Sequence, residues 1–191
     1  MWAAKKKILD SYLDSADSYD ELYGEEQARK FRVTTQLIQP TEEDFVLDAG
    51  CGTALLMEFL LKVGCYLVGV DFARSMVKKA KSKIRSRKVD FVIADVDALP
   101  FAPSSFTKTL AITLVQNLFD PVATISELDR VTRESGFVVV SGLRVKWPEL
   151  LTRLMKNERD AKLVDIPDLN DIIASYQKTP KFGSMNLNLQ T

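Results

Sequence analysis

Three aspartates follow three successive apolar segments of this chain, and they are the residues best suited to chemistry. Asp48, Asp71 and Asp95 come directly after segments rich in valine, leucine, isoleucine and phenylalanine, a pattern typical of buried strands. Because the carboxyl ends of parallel strands meet at one edge of a sheet, we expect the three carboxylates to converge there. Such a set would bind hydroxyl, amino or ammonium groups by charge-assisted hydrogen bonds, and it would repel phosphates.

A glycine turn separates the first apolar segment from a helical pattern. Phe45 to Leu47 is a short strand-forming run, Gly50 and Gly52 interrupt it, and helical spacing follows from Leu55. This order brings the backbone close to a ligand and aims the free N–H groups of the helix at it. A dinucleotide-binding turn would carry a small residue three places after the second glycine, where this chain has Leu55. The pattern therefore disfavours a nicotinamide cofactor.

Among single residues, Asp71 has the most informative position. It follows Gly52 by nearly the ~20 residues at which nucleotide-binding folds place the acid that accepts both ribose hydroxyls. An N-cap for the next helix is an alternative role, but it would not explain the spacing. We therefore predict that Asp71 binds the ribose of a nucleoside.

Composition sets outer bounds on the function. The 191 residues are 46% hydrophobic, enough for a buried core, and 26 basic side chains balance 26 acidic ones, so no overall field attracts nucleic acid or an anionic membrane. The chain has no histidine, which removes the commonest general base, and its two cysteines are too few for a thiolate zinc site. We predict a cytoplasmic protein without a bound metal, because no apolar run could span a bilayer and the start is unlike a signal peptide.

The elements that must position these residues follow from periodicity and from turn residues. We predict strands at 45–47, 65–70, 89–94, 106–113, 137–141, 161–166 and 171–178. We predict helices at 8–19, up to Pro40, at 53–63 with Gly64 just beyond the end, at 74–88, from Pro121 to about Arg133, and at about 147–157. Asp120 and Pro121 are expected as N-cap and first residue of their helix.

From Asp48 to Ala54 the sequence resembles the class I S-adenosylmethionine-dependent methyltransferases, specifically their type 11 or UbiE-like branch. The first motif of that family is an acid, any residue, then Gly-x-Gly-x-Gly, and this chain matches it except that Ala54 replaces the last glycine. Alanine would tighten the turn, although it can take a helical N-terminal conformation. The resemblance covers about residues 19–178 and implies S-adenosylmethionine as cofactor and S-adenosylhomocysteine as product.

The resemblance assigns the aspartates to parts of this cofactor. It implies that Asp48 lies at the ammonium group, Asp71 at the ribose hydroxyls and Asp95 at the adenine amine, with the N–H of Val96 meeting the ring and Phe72 covering one of its faces. The full set of predicted cofactor-binding residues is Asp48, Ala49, Gly50, Cys51, Gly52, Asp71, Phe72, Met76, Asp95, Val96, Thr113, Tyr19 and Tyr23.

Ahead of the first strand lies an acidic and aromatic segment. Seven acids between Asp10 and Glu26 form either a solvated helix face, which we favour, or an acidic lid. In the family an aromatic helix at this place folds over the methionine part of the cofactor. Tyr19 or Tyr23 could supply a cation–π contact to the sulfonium, or both could be core residues.

Two further segments bear on the methyl acceptor. Residues 74–88 contain eight basic side chains and no acid, and we favour an outer helix face that points away from the ligand over a nucleic-acid surface. After the fourth strand, Gln116 and Asn117 are candidates for the substrate mouth, together with Tyr19, or they are ordinary turn residues. Gln116 stands where the resembling quinone C-methyltransferases have arginine, which argues against a quinone acceptor.

These observations predict a single-domain α/β protein with a Rossmann-like, seven-stranded, doubly wound and mostly parallel sheet that ends in an antiparallel hairpin. We assign residues 1–40 to lid helices, 41–178 to the core and 179–191 to a flexible tail. The expected function is methyl transfer from S-adenosylmethionine to an unidentified small molecule. The alternatives are an RNA or protein acceptor, a requirement for an activator protein or a homo-oligomer, and a cofactor-binding scaffold without catalysis.

Overall fold

The computed structural model describes residues 19–147, 152, 160–165, 169 and 171–179. Strands β1 to β7 are, in chain order, Phe45–Ala49, Tyr66–Asp71, Val89–Ile93, Phe106–Ala111, Thr132–Leu143, Lys162–Asp165 and Asp171–Gln177. They form one sheet in the spatial order β3-β2-β1-β4-β5-β7-β6. β1 to β5 pair in parallel, whereas β7 is antiparallel to both of its neighbours, β5 and β6. The predicted parallel sheet with an antiparallel C-terminal hairpin is therefore confirmed.

The helices that the described residues define in full are α1 Tyr19–Ile38, α2 Leu55–Leu60, α3 Arg74–Lys83 and α4 Pro121–Val131. Short 3-10 turns cover Leu61–Val63, Val115–Asn117 and Arg144–Lys146. The helix predicted at 8–19 lies outside the described residues except for its last residue, as does most of the one predicted at 147–157 and nearly all of the tail. Among the described helices, none is both long enough and apolar enough to traverse a bilayer.

Helix boundaries follow from local chemistry at two places. The Asp120 side chain accepts hydrogen bonds from the backbone N–H groups of Val122 and Ala123, both at 3.1 Å, and Pro121 opens α4, as predicted for an N-cap and N1 pair. Gly64 takes a left-handed conformation with φ of 88° after the 3-10 turn. The helix predicted over residues 53–63 is shorter than expected, because it begins at Leu55 and tightens into a 3-10 turn after Leu60.

Two apolar cores lie on opposite faces of the sheet. Neighbouring strand residues alternate between them: Val46, Leu67 and Leu110 belong to one core, while Leu47, Val68 and Ala111 belong to the other. The first core also contains side chains of α1, α2 and α3, and the second contains those of α4. Helices on both faces make the sheet doubly wound, and this architecture leaves the carboxyl ends of the central strands open for a ligand.

Candidate functional site

A cleft with two lobes lies at the carboxyl ends of β1 to β4. The large lobe has a volume of about 780 Å³, including the solvent space at its mouth, and the small lobe about 350 Å³. Gly50, Gly52 and Ile112 line both lobes, so the two form one continuous site. Each volume is within the range of about 300–1,000 Å³ that is typical of small-molecule pockets.

The structure brings the three predicted aspartates to this edge of the sheet. Asp71 at the end of β2 and Asp95 after β3 line the large lobe, and Asp48 in β1 lines the small lobe. Phe72, Met76, Val96 and Thr113 also line the large lobe, and Cys51 lines the small lobe. The geometry therefore distributes the predicted acids along the length of the cleft.

Asp71 fixes the conformation of two loops around the large lobe. Its Oδ2 accepts a hydrogen bond from the N–H of Gly52 at 2.9 Å, and its Oδ1 accepts one from the N–H of Ala73 at 2.8 Å. Burial raises the pKa of this carboxyl, and the two amide contacts oppose the shift. The N-cap position of α3 is occupied by Ala73 without a side-chain cap. The alternative role of Asp71 as an N-cap is therefore wrong.

Asp48 is a buried carboxylate that lacks a hydrogen-bond partner for Oδ2 among the described residues. Only 4% of the residue is exposed. Burial, together with the nearby charge of Asp71, raises the pKa of Asp48 to about 7. An unpaired buried carboxylate is unfavourable, and a cationic group placed in the small lobe would relieve it. The family resemblance of the sequence likewise implies an ammonium group at Asp48.

The glycine turn between β1 and α2 shapes both lobes. Gly50 has a φ of 78°, and a Cβ at this position would lie 2.9 Å from Cδ1 of Leu114. Ala54 also takes a left-handed conformation, with φ of 69° and ψ of 29°. Of the conformations open to it, the alanine takes the left-handed backbone geometry that glycine adopts at lowest cost, and not the helical one.

The thiol of Cys51 lies in a setting that favours its protonated form. Its side chain is buried, and burial raises the pKa of the thiol well above its ordinary value. The charges of Asp48 and Asp71 act in the same direction. Cys51 therefore contributes packing to the small lobe as a neutral thiol.

The loop after β3 contains a lining residue that the sequence analysis missed. Asp97 lines the large lobe beside Asp95 and Val96. The Oδ1 atom of Asp95 accepts a hydrogen bond from the N–H of Asp97 at 3.1 Å, and the Asp97 side chain accepts one from the hydroxyl of Thr124 in α4. The sequence held one signal for this role of Asp97, which is its position two residues after Asp95 in the same short loop.

Several predicted site residues lie elsewhere. Gln116 lines neither lobe, because its Nε2 donates to the carbonyl of Thr113 at 2.7 Å and its Oε1 accepts from the N–H of Leu143. Ala49 is fully buried in the core, and Tyr23 is 44% exposed and lines neither lobe. The side chain of Tyr19 lies outside the described part of the chain. Of the residues proposed for the substrate mouth, Asn117 lines the large lobe.

Apolar side chains dominate the mouth of the large lobe. Leu114, Leu118 and Phe119 line it next to Asn117, and 60% of Phe119 is exposed. Contiguous exposed apolar surface of this kind often marks a ligand-binding groove. The apolar residues that flank Gln116 and Asn117 in the sequence were the signal for this surface.

Helix α1 covers the small lobe and is held there by charged contacts. Gln27 and Phe31 of α1 line this lobe. Near its start, Asp20 lies 2.7 Å from Lys83 of α3 and accepts a hydrogen bond from the Thr53 hydroxyl. Lys83 also donates to the carbonyl of Thr53 at 3.1 Å. Lys83 of the basic helix lines neither lobe, and its contact with Asp20 shows that at least one residue of the acidic segment anchors α1.

Known sequences resemble this chain over the region that builds the cleft. The sequence model of the family described as "Methyltransferase domain" matches residues 47–140. A malonyl-[acyl-carrier protein] O-methyltransferase of Hamiltonella defensa is 28% identical over 139 residues, which are 73% of this chain and 53% of that protein. A demethylmenaquinone methyltransferase of Renibacterium salmoninarum is 30% identical over 132 residues, 67% of this chain and 55% of that protein. This chain thus spans about half the length of these relatives.

Solved structures share the fold at lower sequence identity. One of them is a complex between the Haloferax volcanii Trm112 methyltransferase activator and a protein described as a methyltransferase. The match has a TM-score of 0.68 and 16% identity, and it covers 90% of this chain and 98% of that chain. Identity at this level shows a common fold.

Proposed function

The chain belongs to the class I S-adenosylmethionine-dependent methyltransferases, in their type 11 branch, and on this premise we propose that it transfers a methyl group from S-adenosylmethionine to a small-molecule acceptor. Adenosine would occupy the large lobe, with Asp71 at the ribose hydroxyls and Asp95 at the adenine amine. The methionine part would extend into the small lobe toward Asp48.

The observation that carries this proposal is the buried, unpartnered Oδ2 of Asp48. The small lobe offers this carboxylate to a cation, and the ammonium group of the methionine part supplies one. Ionised Asp48 would then form a charge-assisted hydrogen bond in a buried setting. A dinucleotide would instead bring phosphates toward Asp48 and Asp71, where like charges repel.

Methyl transfer places modest chemical demands on the protein. The bound cofactor supplies a methyl group on a positively charged sulfur, whose departure leaves a neutral thioether. The residues of the cleft orient both ligands and exclude water, and these effects provide much of the rate enhancement in such displacements. A chain without histidine fits an acceptor that loses its proton readily or late in the reaction.

The mouth of the large lobe supports an acceptor with an apolar face. Leu118 and Phe119 offer apolar surface, and Asn117 adds an amide that can both donate and accept hydrogen bonds. The relatives are named as a malonyl-[acyl-carrier protein] O-methyltransferase and a demethylmenaquinone methyltransferase. We propose a small-molecule acceptor that places an apolar face against Leu118 and Phe119.

Calorimetric titration of the purified chain with S-adenosylmethionine, S-adenosylhomocysteine and NAD, run in parallel, tests the proposal. We expect dissociation constants of about 1–100 µM for the two adenosyl ligands, within the range of ordinary substrate affinities, and no heat of binding with NAD. Binding of NAD instead would contradict the proposal. If no ligand binds, the titration should be repeated with co-purified partners, because one protein of this fold was solved with an activator.

Charge reversal on α3 and just beyond it tests the alternative that the methyl acceptor is RNA. Lys78, Lys81 and Arg85 are exposed and line neither lobe, so we expect the triple variant Lys78→Glu, Lys81→Glu, Arg85→Glu to bind S-adenosylmethionine within about twofold of the wild type, since exposed charges at a distance are screened. Lys83 stays unchanged because it anchors α1. RNA binding by the wild type that falls steeply with salt and disappears in this variant would favour a nucleic-acid acceptor.

A further inference from the structure

Thr113 lies where the two lobes of the cleft meet. It lines the large lobe, and its hydroxyl is within hydrogen-bond distance of Gln27, which lines the small lobe. The preceding residue, Ile112, lines both lobes. If adenosine and the methionine part occupy the two lobes as proposed, the sulfonium crosses between them at this junction.

The backbone of Thr113 is in an unusual conformation that its surroundings hold. Its φ of 57° is in the left-handed region, which β-branched residues rarely adopt. The N–H donates to Oγ of Ser141 at 2.8 Å, the carbonyl accepts from Gln116 at 2.7 Å, and the hydroxyl oxygen accepts from Nζ of Lys30 at 3.1 Å. Such conformations persist where surrounding contacts determine them.

Lys30 is a buried charged side chain that contacts Thr113. It is fully buried, and its Nζ lies 2.7 Å from Glu26, 3.0 Å from Asp171 and 3.1 Å from the Thr113 hydroxyl. The ammonium group is fully buried among these three neighbours. Lys30 is therefore not exposed to a methyl acceptor, and it acts on the site through its contact with Thr113.

The cluster around Lys30 carries more negative than positive charge. Two carboxylates, Glu26 and Asp171, face one lysine. Asp171 begins β7 and is fully buried, and apart from the ion pair neither of its oxygens has a hydrogen-bond partner among the described residues. Since the interior screens charges less than water does, these two carboxylates offset the positive charge that Lys30 places beside the junction.

Resting on the proposed function, we infer that Lys30 and Asp171 are positioning residues for the sulfonium. Lys30 fixes the Thr113 hydroxyl at the junction of the lobes, and the two carboxylates offset the charge of Lys30, so that it does not repel the positively charged sulfur of the cofactor. S-adenosylhomocysteine has an uncharged sulfur and gains nothing from this neutralisation. The ratio of the two affinities therefore reports the electrostatic role separately from packing.

Asp171→Asn tests the charge with nearly unchanged shape. We expect the preference for S-adenosylmethionine over S-adenosylhomocysteine, measured as a ratio of dissociation constants by calorimetry, to fall by about three- to tenfold, because one buried charge near the sulfonium is lost. Asp90→Asn makes the same change at an exposed position in β3 and should leave the ratio unchanged. Equal weakening of both ligands, or an unchanged ratio, would overturn the electrostatic role.

Further variants keep the inference testable if Asp171→Asn does not fold. Glu26→Gln alters the partner of Lys30 that is 41% exposed, so it should lower the same ratio by about twofold; no change would count against the inference.

Thr113→Val should weaken both ligands about fivefold or more, whereas Thr113→Ser keeps the hydroxyl and should bind like the wild type. If the wild type binds neither ligand, alone or with co-purified partners, the proposed function fails; if it binds both and Asp171→Asn and Glu26→Gln leave the ratio intact, only this inference fails.

Discussion

Asp71→Ala is expected to abolish measurable binding of S-adenosylmethionine. A carboxylate that accepts two hydrogen bonds from the ribose contributes about 2–4 kcal/mol, which corresponds to a loss of roughly 30- to 1000-fold in affinity. In addition, the variant releases the N–H groups of Gly52 and Ala73, which Asp71 now holds at 2.9 and 2.8 Å. Calorimetric titration with S-adenosylmethionine measures the loss, and circular dichroism establishes that the variant is folded.

Asp120→Ala is the matched control for this change. Asp120 likewise accepts two backbone N–H groups at a loop-to-helix boundary, but it does not line either lobe. Its loss should lower the free energy of unfolding by about 1 kcal/mol, as for other N-caps, with cofactor affinity within about threefold of the wild type. A folded Asp71→Ala variant with unchanged affinity would remove Asp71 from the site.

The sequence predicted those features that depend on local pattern and on strand order. Asp71 and Asp95 stand at the edge of the sheet because each follows an apolar run that pairs in parallel with its neighbour. Asp120 and Pro121 begin α4 because an N-cap needs only residues close by in the chain. Such features require no knowledge of distant contacts, and the structure has them where they were predicted.

The features that the sequence did not predict depend on contacts between distant segments. The ion pair of Lys30 with Asp171 joins α1 to β7, and the contact of Lys83 with Asp20 joins α3 to α1. No local pattern distinguishes these residues from the other charged residues of the chain. The sequence left open whether Gln116 lies at the substrate mouth or is an ordinary turn residue for a related reason: the choice between solvent and the Thr113 carbonyl for a side-chain amide is made by tertiary packing.

Ala54 shows a different limit of sequence reasoning. Alanine has a low energy in helical conformations, so local preference favours that geometry, yet the turn holds Ala54 at a φ of 69°. The residue is fully buried and closes a turn in which its N–H donates to the carbonyl of Cys51 at 2.8 Å. Tertiary structure at the glycine turn therefore overrides the local preference of the single residue that departs from the family motif.

Asp48→Asn is expected to stabilise the ligand-free protein and weaken cofactor binding at the same time. Folding raises the pKa of Asp48 to about 7, above its ordinary value, so ionisation of the folded state is unfavourable. The wild type therefore loses stability as the pH rises toward about 7, and the loss is complete above it. Asparagine carries no charge, so at about pH 8 the variant should unfold with a free energy higher by about 1–3 kcal/mol, and at about pH 4 the gain should vanish.

The same substitution should lower the affinity for S-adenosylmethionine by about ten- to a hundredfold at pH 8, because the ammonium group loses its ionised partner. In the wild type the affinity should fall by up to about tenfold for each pH unit below about 7, since the proton on Asp48 must leave before the cation binds; the variant should lack this slope.

Denaturant titration and calorimetry at several pH values measure both effects, and Asp90→Asn serves as the exposed control. A variant that gains stability yet binds with wild-type affinity and pH dependence would place the ammonium group elsewhere. Opposite changes in stability and affinity would instead mean that the unfavourable burial of one carboxylate is the source of cation binding in this cleft.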